Sequence, residues 1–149
     1  MSDEIGFGGN DLSAGRNKLE FKRVLVVEDN AFVRDLVSRM LLEIGFTKVH
    51  TATDGQDALN QILHSIPHVI VSDINMKPMG GLEFLRRMKD HGFEGGARIP
   101  IIFLTVHSEP AFIKRAKELG ADDFVLKPVT REMLASRVIK ALSSVGQPR

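Results

Sequence analysis

Apolar residues along this chain follow two alternating rhythms. Short unbroken apolar runs closed by polar residues alternate with longer segments whose apolar positions recur every three or four residues. "RVLVVED" (23–29) is the first run and has the composition of a strand buried on both faces. "KVHTAT" (48–53), β-branched and short, reads as a second strand, and "HVIVSD" (68–73), "IPIIFLTV" (99–106) and "DDFVLKP" (122–128) read as three more. Val33, Leu36, Val37, Met40, Leu41 and Ile44 mark the first helical stripe, with Asn30 placed to cap it and Gly45 to stop it. Ala58, Leu59, Ile62, Leu63 and Ile66 form a second stripe closed by Pro67, and Leu82, Leu85 and Met88 form a third. "EPAFIKRAKELG" (109–120) has Pro in its first turn and Gly at its end. "TREMLASRVIKALSS" (130–144) turns Leu134, Val138, Ala141 and Leu142 inward.

Five strands alternating with five helices predict an α/β protein with a doubly wound five-stranded parallel sheet. Parallel crossovers require helix-length, right-handed connections, and these cover both faces. Residues 1–21 hold four of the thirteen glycines and no apolar periodicity, so they read as a flexible arm. Residues 22–144 form the expected single domain and 145–149 a tail.

Composition narrows the function classes. A net charge of +1 gives no electrostatic case for nucleic acid, and the absence of Cys excludes thiolate metal sites and disulfides. No apolar stretch is long enough to insert into a membrane, and the start lacks the features of a signal peptide, so the cytoplasm is the expected location. His50, His64, His68 and His91 show no metal-ligand spacing and read as surface groups. Met40, Met88 and Met133 read as core packing, and Arg86, Arg87 and Lys89 as a solvated helix face.

In a parallel sheet all strands end at one edge, and there this sequence concentrates its polar chemistry. The first strand ends in Glu28 and Asp29, the third in Asp73 with Asn75 two residues on, the fourth in Thr105, and the fifth in Lys127. Each alone has a structural explanation, such as capping a helix or closing a turn. Together they suit a divalent cation and a phosphoryl group. Neighbouring carboxylates repel unless a cation sits among them, and an all-oxygen set suits Mg²⁺. Lys127 and Thr105 add a positive charge and a hydroxyl donor of the kind phosphoryl transfer uses.

These segments resemble the receiver domains of two-component response regulators, from residue 22 to about 144. The resemblance rests on "VLVVEDN" (24–30), "SDINMKPMGGLEFL" (72–85), "PIIFLTV" (100–106) and "GADDFVLKP" (120–128), in order and in register. It implies the flavodoxin-like receiver fold, with Asp73 as phosphoacceptor and Mg²⁺ held by Glu28, Asp29, Asp73 and the backbone carbonyl of Asn75. Thr105 and Lys127 would contact the phosphoryl oxygens, Phe124 would be the switching aromatic, and Asn75 and His107 would flank a water that attacks the phosphoryl group. The implied donor is a histidine kinase or phosphotransfer protein, and the implied output is a phosphorylation-dependent protein partner. The turn departs from the family pattern at Pro78 and Gly80. Val106 is bulkier than is usual after the Thr, so crowding of the Phe124 switch is expected.

The resulting expectation is a phosphoacceptor signalling protein rather than an enzyme. A phosphorelay shuttle and an unphosphorylated adaptor of the same fold remain as alternatives. A haloacid-dehalogenase-type phosphatase also uses Asp, Mg²⁺, Thr and Lys, but needs a second Asp two residues after the first. That position is Asn75, which cannot serve as the general acid.

Overall fold

The computed structural model describes residues 19–92, 98–106 and 109–144. The elements run β1 (Arg23–Val27), α1 (Ala31–Ile44), β2 (Lys48–Ala52), α2 (Gly55–His64), β3 (Val69–Asp73), α3 (Gly81–His91), β4 (Ile101–Thr105), α4 (Pro110–Glu118), β5 (Asp123–Leu126) and α5 (Arg131–Ser143). All strand pairs are parallel and the sheet order is β2-β1-β3-β4-β5. This is the expected doubly wound α/β architecture.

Alternation along each strand sends side chains into two separate cores. Leu25, Val27, Ile70, Ile101 and Phe103 pack against α2, α3 and α4 through Ile62, Phe84, Leu85 and Ala116. Val24, Val26, Val69, Val71, Ile102 and Leu104 pack against α1 and α5 through Val37, Leu41, Leu134 and Val138. β3 is buried along its whole length at the centre of the sheet, so Asp73 is carried out of the densest part of the protein.

The helix starts follow local chemistry. Asn30 Oδ1 accepts from the Val33 N–H at 3.0 Å, Asp54 accepts from the N–H groups of Gln56 and Asp57, and Thr130 accepts from Met133. Gly45 ends α1 at φ 137°, a conformation that favours glycine, and its N–H closes on Leu41 and Leu42.

Several details differ from the expectations above. Leu19 is 3% exposed in the α1–α5 core, and the Lys22 N–H donates to its carbonyl, so packing begins before residue 22. Leu36, Leu63 and Met133 carry the expected helical spacing but are exposed, because they stand at the edge of stripes wider than the sheet can cover. α2 ends at His64, before Ile66. His68 is half-buried rather than a surface group. Its Nδ1 accepts the backbone N–H of Arg23 at 2.8 Å, while burial and the neighbouring Arg23, Lys22 and Lys48 hold its imidazole below the ordinary pKa.

Candidate functional site at the carboxyl edge of the sheet

Glu28 leaves the end of β1 while its backbone N–H still donates to Ala52 of β2 at 3.0 Å. Its side chain is only 2% exposed. One oxygen, Oε2, accepts the Asn30 N–H at 3.1 Å; the other, Oε1, is buried with no hydrogen-bond partner. Burial, chiefly, and the nearby negative Asp73 push its carboxyl up to about 7, against the Asn30 N–H and the Lys127 charge, which pull it down. Asp29 is exposed beside it. Glu28, Asp29 and Asp73 each present an oxygen within 4.8 Å of the others'.

Asp73 is 6% exposed at the end of β3. Lys127, immediately after β5, places Nζ 2.9 Å from Asp73 Oδ1 and 3.9 Å from Glu28 Oε1. Both are ion pairs, the first close and the second longer. Thr105 is buried at the end of β4, and its carbonyl accepts the Lys127 N–H at 2.9 Å. That backbone bond fixes where the Lys127 side chain sets out, so β4 and β5 together aim the ammonium at β3.

The turn after β3 is held against this edge. Gly81, the first residue of α3, donates its N–H to Ile74 at 2.8 Å. A Cβ at Gly81 would stand 2.6 Å from the Asp73 carbonyl oxygen and 2.8 Å from the Phe103 ring. Only glycine allows α3 to begin this close to the Asp73 backbone.

The residues singled out in the sequence fall as follows. Glu28, Asp29, Asp73, Thr105 and Lys127 converge from four strand ends on one edge, and Asn75 is exposed on the turn after Asp73. Phe124 is partly buried on β5, its ring centroid 6.3 Å from that of Phe103. Val106 is 66% exposed, so in this conformation its bulk lies toward solvent and not in the space around Phe124. His107 lies outside the described residues.

Sequence reasoning did not find Gly81 or Arg34. Gly81 was signalled by the Gly80-Gly81 pair before the α3 stripe. Arg34 had no signal, because its partner is a backbone carbonyl: Nη1 donates to Glu28 O at 2.9 Å.

The donor set is hard oxygen throughout, with a buried carboxylate oxygen that lacks a hydrogen-bond partner, and this fits Mg²⁺. A doubly wound sheet with an Asp between an acidic pair and a Lys, flanked by a Thr, is the arrangement expected of a receiver domain.

Comparison with known proteins agrees. Residues 24–139 match the family model described as the response regulator receiver domain. The chain belongs to this family. It is 30% identical over 116 residues to the Rhizobium etli protein named "Probable chemotaxis protein CheY", a match that covers 78% of this chain and 88% of that one. The Streptococcus agalactiae transcriptional regulatory protein DltR is 34% identical over 116 residues, and the match covers 78% of this chain and 50% of that one. Among solved structures, chemotaxis protein CheY4 of Vibrio cholerae superposes with a TM-score of 0.71 at 33% identity, covering 81% of this chain and 98% of that chain. None of the described helices is long and apolar enough to cross a membrane.

Proposed function

We propose that Asp73 accepts a phosphoryl group from the phosphohistidine of a histidine kinase or phosphotransfer protein, in a Mg²⁺-dependent reaction. The observation that carries this reading is Lys127 Nζ at 2.9 Å from Asp73 Oδ1, beside an acidic pair whose Glu28 Oε1 has no hydrogen-bond partner. Glu28, Asp29, Asp73 and the Asn75 carbonyl would hold the metal. Bound there, Mg²⁺ supplies positive charge against the phosphoryl oxygens and relieves repulsion among the carboxylates.

The chain's own groups do the rest. Lys127 holds one Asp73 oxygen, orienting the carboxylate so that its other oxygen can attack phosphorus. The new O–P bond forms as the N–P bond of phosphohistidine breaks, and the imidazole leaves with the electron pair. Lys127 and the Thr105 hydroxyl then meet the transferred oxygens, where charge accumulates. Asn75 and His107 would set access of water to the acyl phosphate and so its lifetime. Phe124 would respond to the Thr105 contact and alter the surface offered to a protein partner.

Acetyl phosphate and Mg²⁺ should add one phosphoryl group to the wild type and none to Asp73→Asn, read by intact mass. Equal labelling of both proteins would overturn the assignment.

A further inference from the structure

We infer that Arg34 is a positioning residue for the metal site: its guanidinium holds the Glu28–Asp29 peptide so that the acidic pair faces Asp73. The inference rests on the Mg²⁺ reading above and concerns a residue that touches neither the metal nor the phosphoryl group.

β1 ends at Val27, so the Glu28 carbonyl has left the sheet ladder and needs a donor from elsewhere. Arg34 Nη1 supplies it at 2.9 Å from the first turns of α1. The rest of the turn closes around this contact. Glu28 Oε2 accepts the Asn30 N–H, Asn30 Oδ1 accepts the Val33 N–H, and the Asn30 carbonyl accepts the Arg34 N–H at 2.9 Å. The Arg34 backbone and side chain therefore grip both ends of the segment that carries the two acids. The side chain is half-buried and makes no ion pair among the described residues, so no carboxylate competes for it. Its hydrogen bond to the acidic segment is made to the Glu28 carbonyl, so it acts on the site through the peptide.

The C=O that Arg34 holds belongs to the peptide preceding Asp29, so rotation of that peptide swings the Asp29 carboxylate. Asp29 is exposed and has little packing of its own to resist such motion. Mg²⁺ tolerates poor geometry badly, and losing an outer partner of a metal ligand typically weakens affinity about 10–100-fold.

The chain has neither Trp nor Tyr, so Mg²⁺ binding is best followed by backbone amide NMR titration of the full chain. Wild type, Arg34→Gln, Asp29→Asn and the double variant are compared, with urea unfolding of each apo protein alongside. Arg34→Gln is expected to weaken Mg²⁺ binding about tenfold, and to add nothing once Asp29→Asn is present, because the two act on one ligand. Full additivity in the double variant, or unchanged affinity in Arg34→Gln, overturns the inference. If the wild type itself shows no saturable Mg²⁺ shifts around Glu28, the metal reading fails instead. A loss of apo stability with unchanged affinity assigns Arg34 to folding of α1 alone and likewise overturns the role.

Discussion

Gly81 stands directly behind Asp73: a Cβ on Gly81 would approach the Asp73 carbonyl oxygen to 2.6 Å. The start of α3 is therefore built against the backbone of the phosphoacceptor candidate, and the neighbouring Phe103 ring leaves no alternative space. A single hydrogen atom in place of a side chain thus sets the position of both the helix and the strand end.

Replacing Gly81 by Ala should destabilise the domain by about 1–3 kcal/mol, the usual scale of overpacking, because the atom struck is backbone and cannot swing away. Gly92, at φ 69° with no atom within 4 Å of where a Cβ would stand, offers the contrast. There Ala should cost about 1–3 kcal/mol of backbone strain alone, with no steric clash, and the site should be unaffected. Urea midpoints measure both, and amide shifts at Asp73 should move only for Gly81→Ala.

Stability of the metal-free protein should fall as pH rises. Glu28 titrates at about 7 in the folded protein against an ordinary value of 4.5, so between these pH values the folded state binds a proton that the unfolded chain has released. Protonated Glu28 is tolerated in its buried position; ionised Glu28 carries a penalty that is complete above pH 7 and is worth about 3 kcal/mol. Unfolding in EDTA at pH 5 and pH 8 should show this loss, and Glu28→Gln should remove most of it. Mg²⁺ must displace the same proton, so its affinity should weaken below pH 7.

Asp29→Asn should weaken Mg²⁺ binding while leaving the apo protein no less stable. Removing one of three clustered carboxylates lowers their mutual repulsion, and the metal stabilises only the state that binds it. Chemical melts with and without Mg²⁺ test this. An apo form destabilised by several kcal/mol would make Asp29 a structural residue.

Lys127→Met should both slow phosphorylation of Asp73 and destabilise the apo protein. It leaves the buried Asp73 and Glu28 carboxylates without their cation, a change that costs roughly 3–5 kcal/mol at a fully buried pair and less here, because Lys127 is partly exposed. The loss should diminish toward pH 5, where Glu28 is protonated. A pH-independent loss would place the effect in the Asp73 ion pair and the packing of the lysine stem rather than in Glu28.

Val106→Ala should change stability by no more than about 0.5 kcal/mol, since the side chain is exposed. Phe124→Ala should cost more, because it empties a contact with Phe103. Paired unfolding curves distinguish the two. If Val106→Ala nonetheless alters the Phe124 shifts on addition of beryllofluoride, Val106 enters the inner space only in the activated form.

The elements were legible in the sequence because each obeys a local rule. Both faces of β3 are covered, so the "VIV" of "VIVSD" had to be apolar without a break, and Asn30, Asp54 and Thr130 cap their helices through their own neighbours. The candidate site was legible because parallel strands deliver their C-terminal residues to one edge, so order along the chain implied proximity in space. Tertiary structure alone decided what depends on distance and on which face of a stripe meets the sheet. It put Leu36 and Met133 in solvent, made His68 a partner of the Arg23 backbone, and set Leu19 in the core. It also left Glu28 an oxygen without a hydrogen bond and gave Arg34 a carbonyl to hold. Those features depend on where single atoms meet in space, the Arg34 contact on a carbonyl that every residue type carries, and periodicity therefore cannot reveal them.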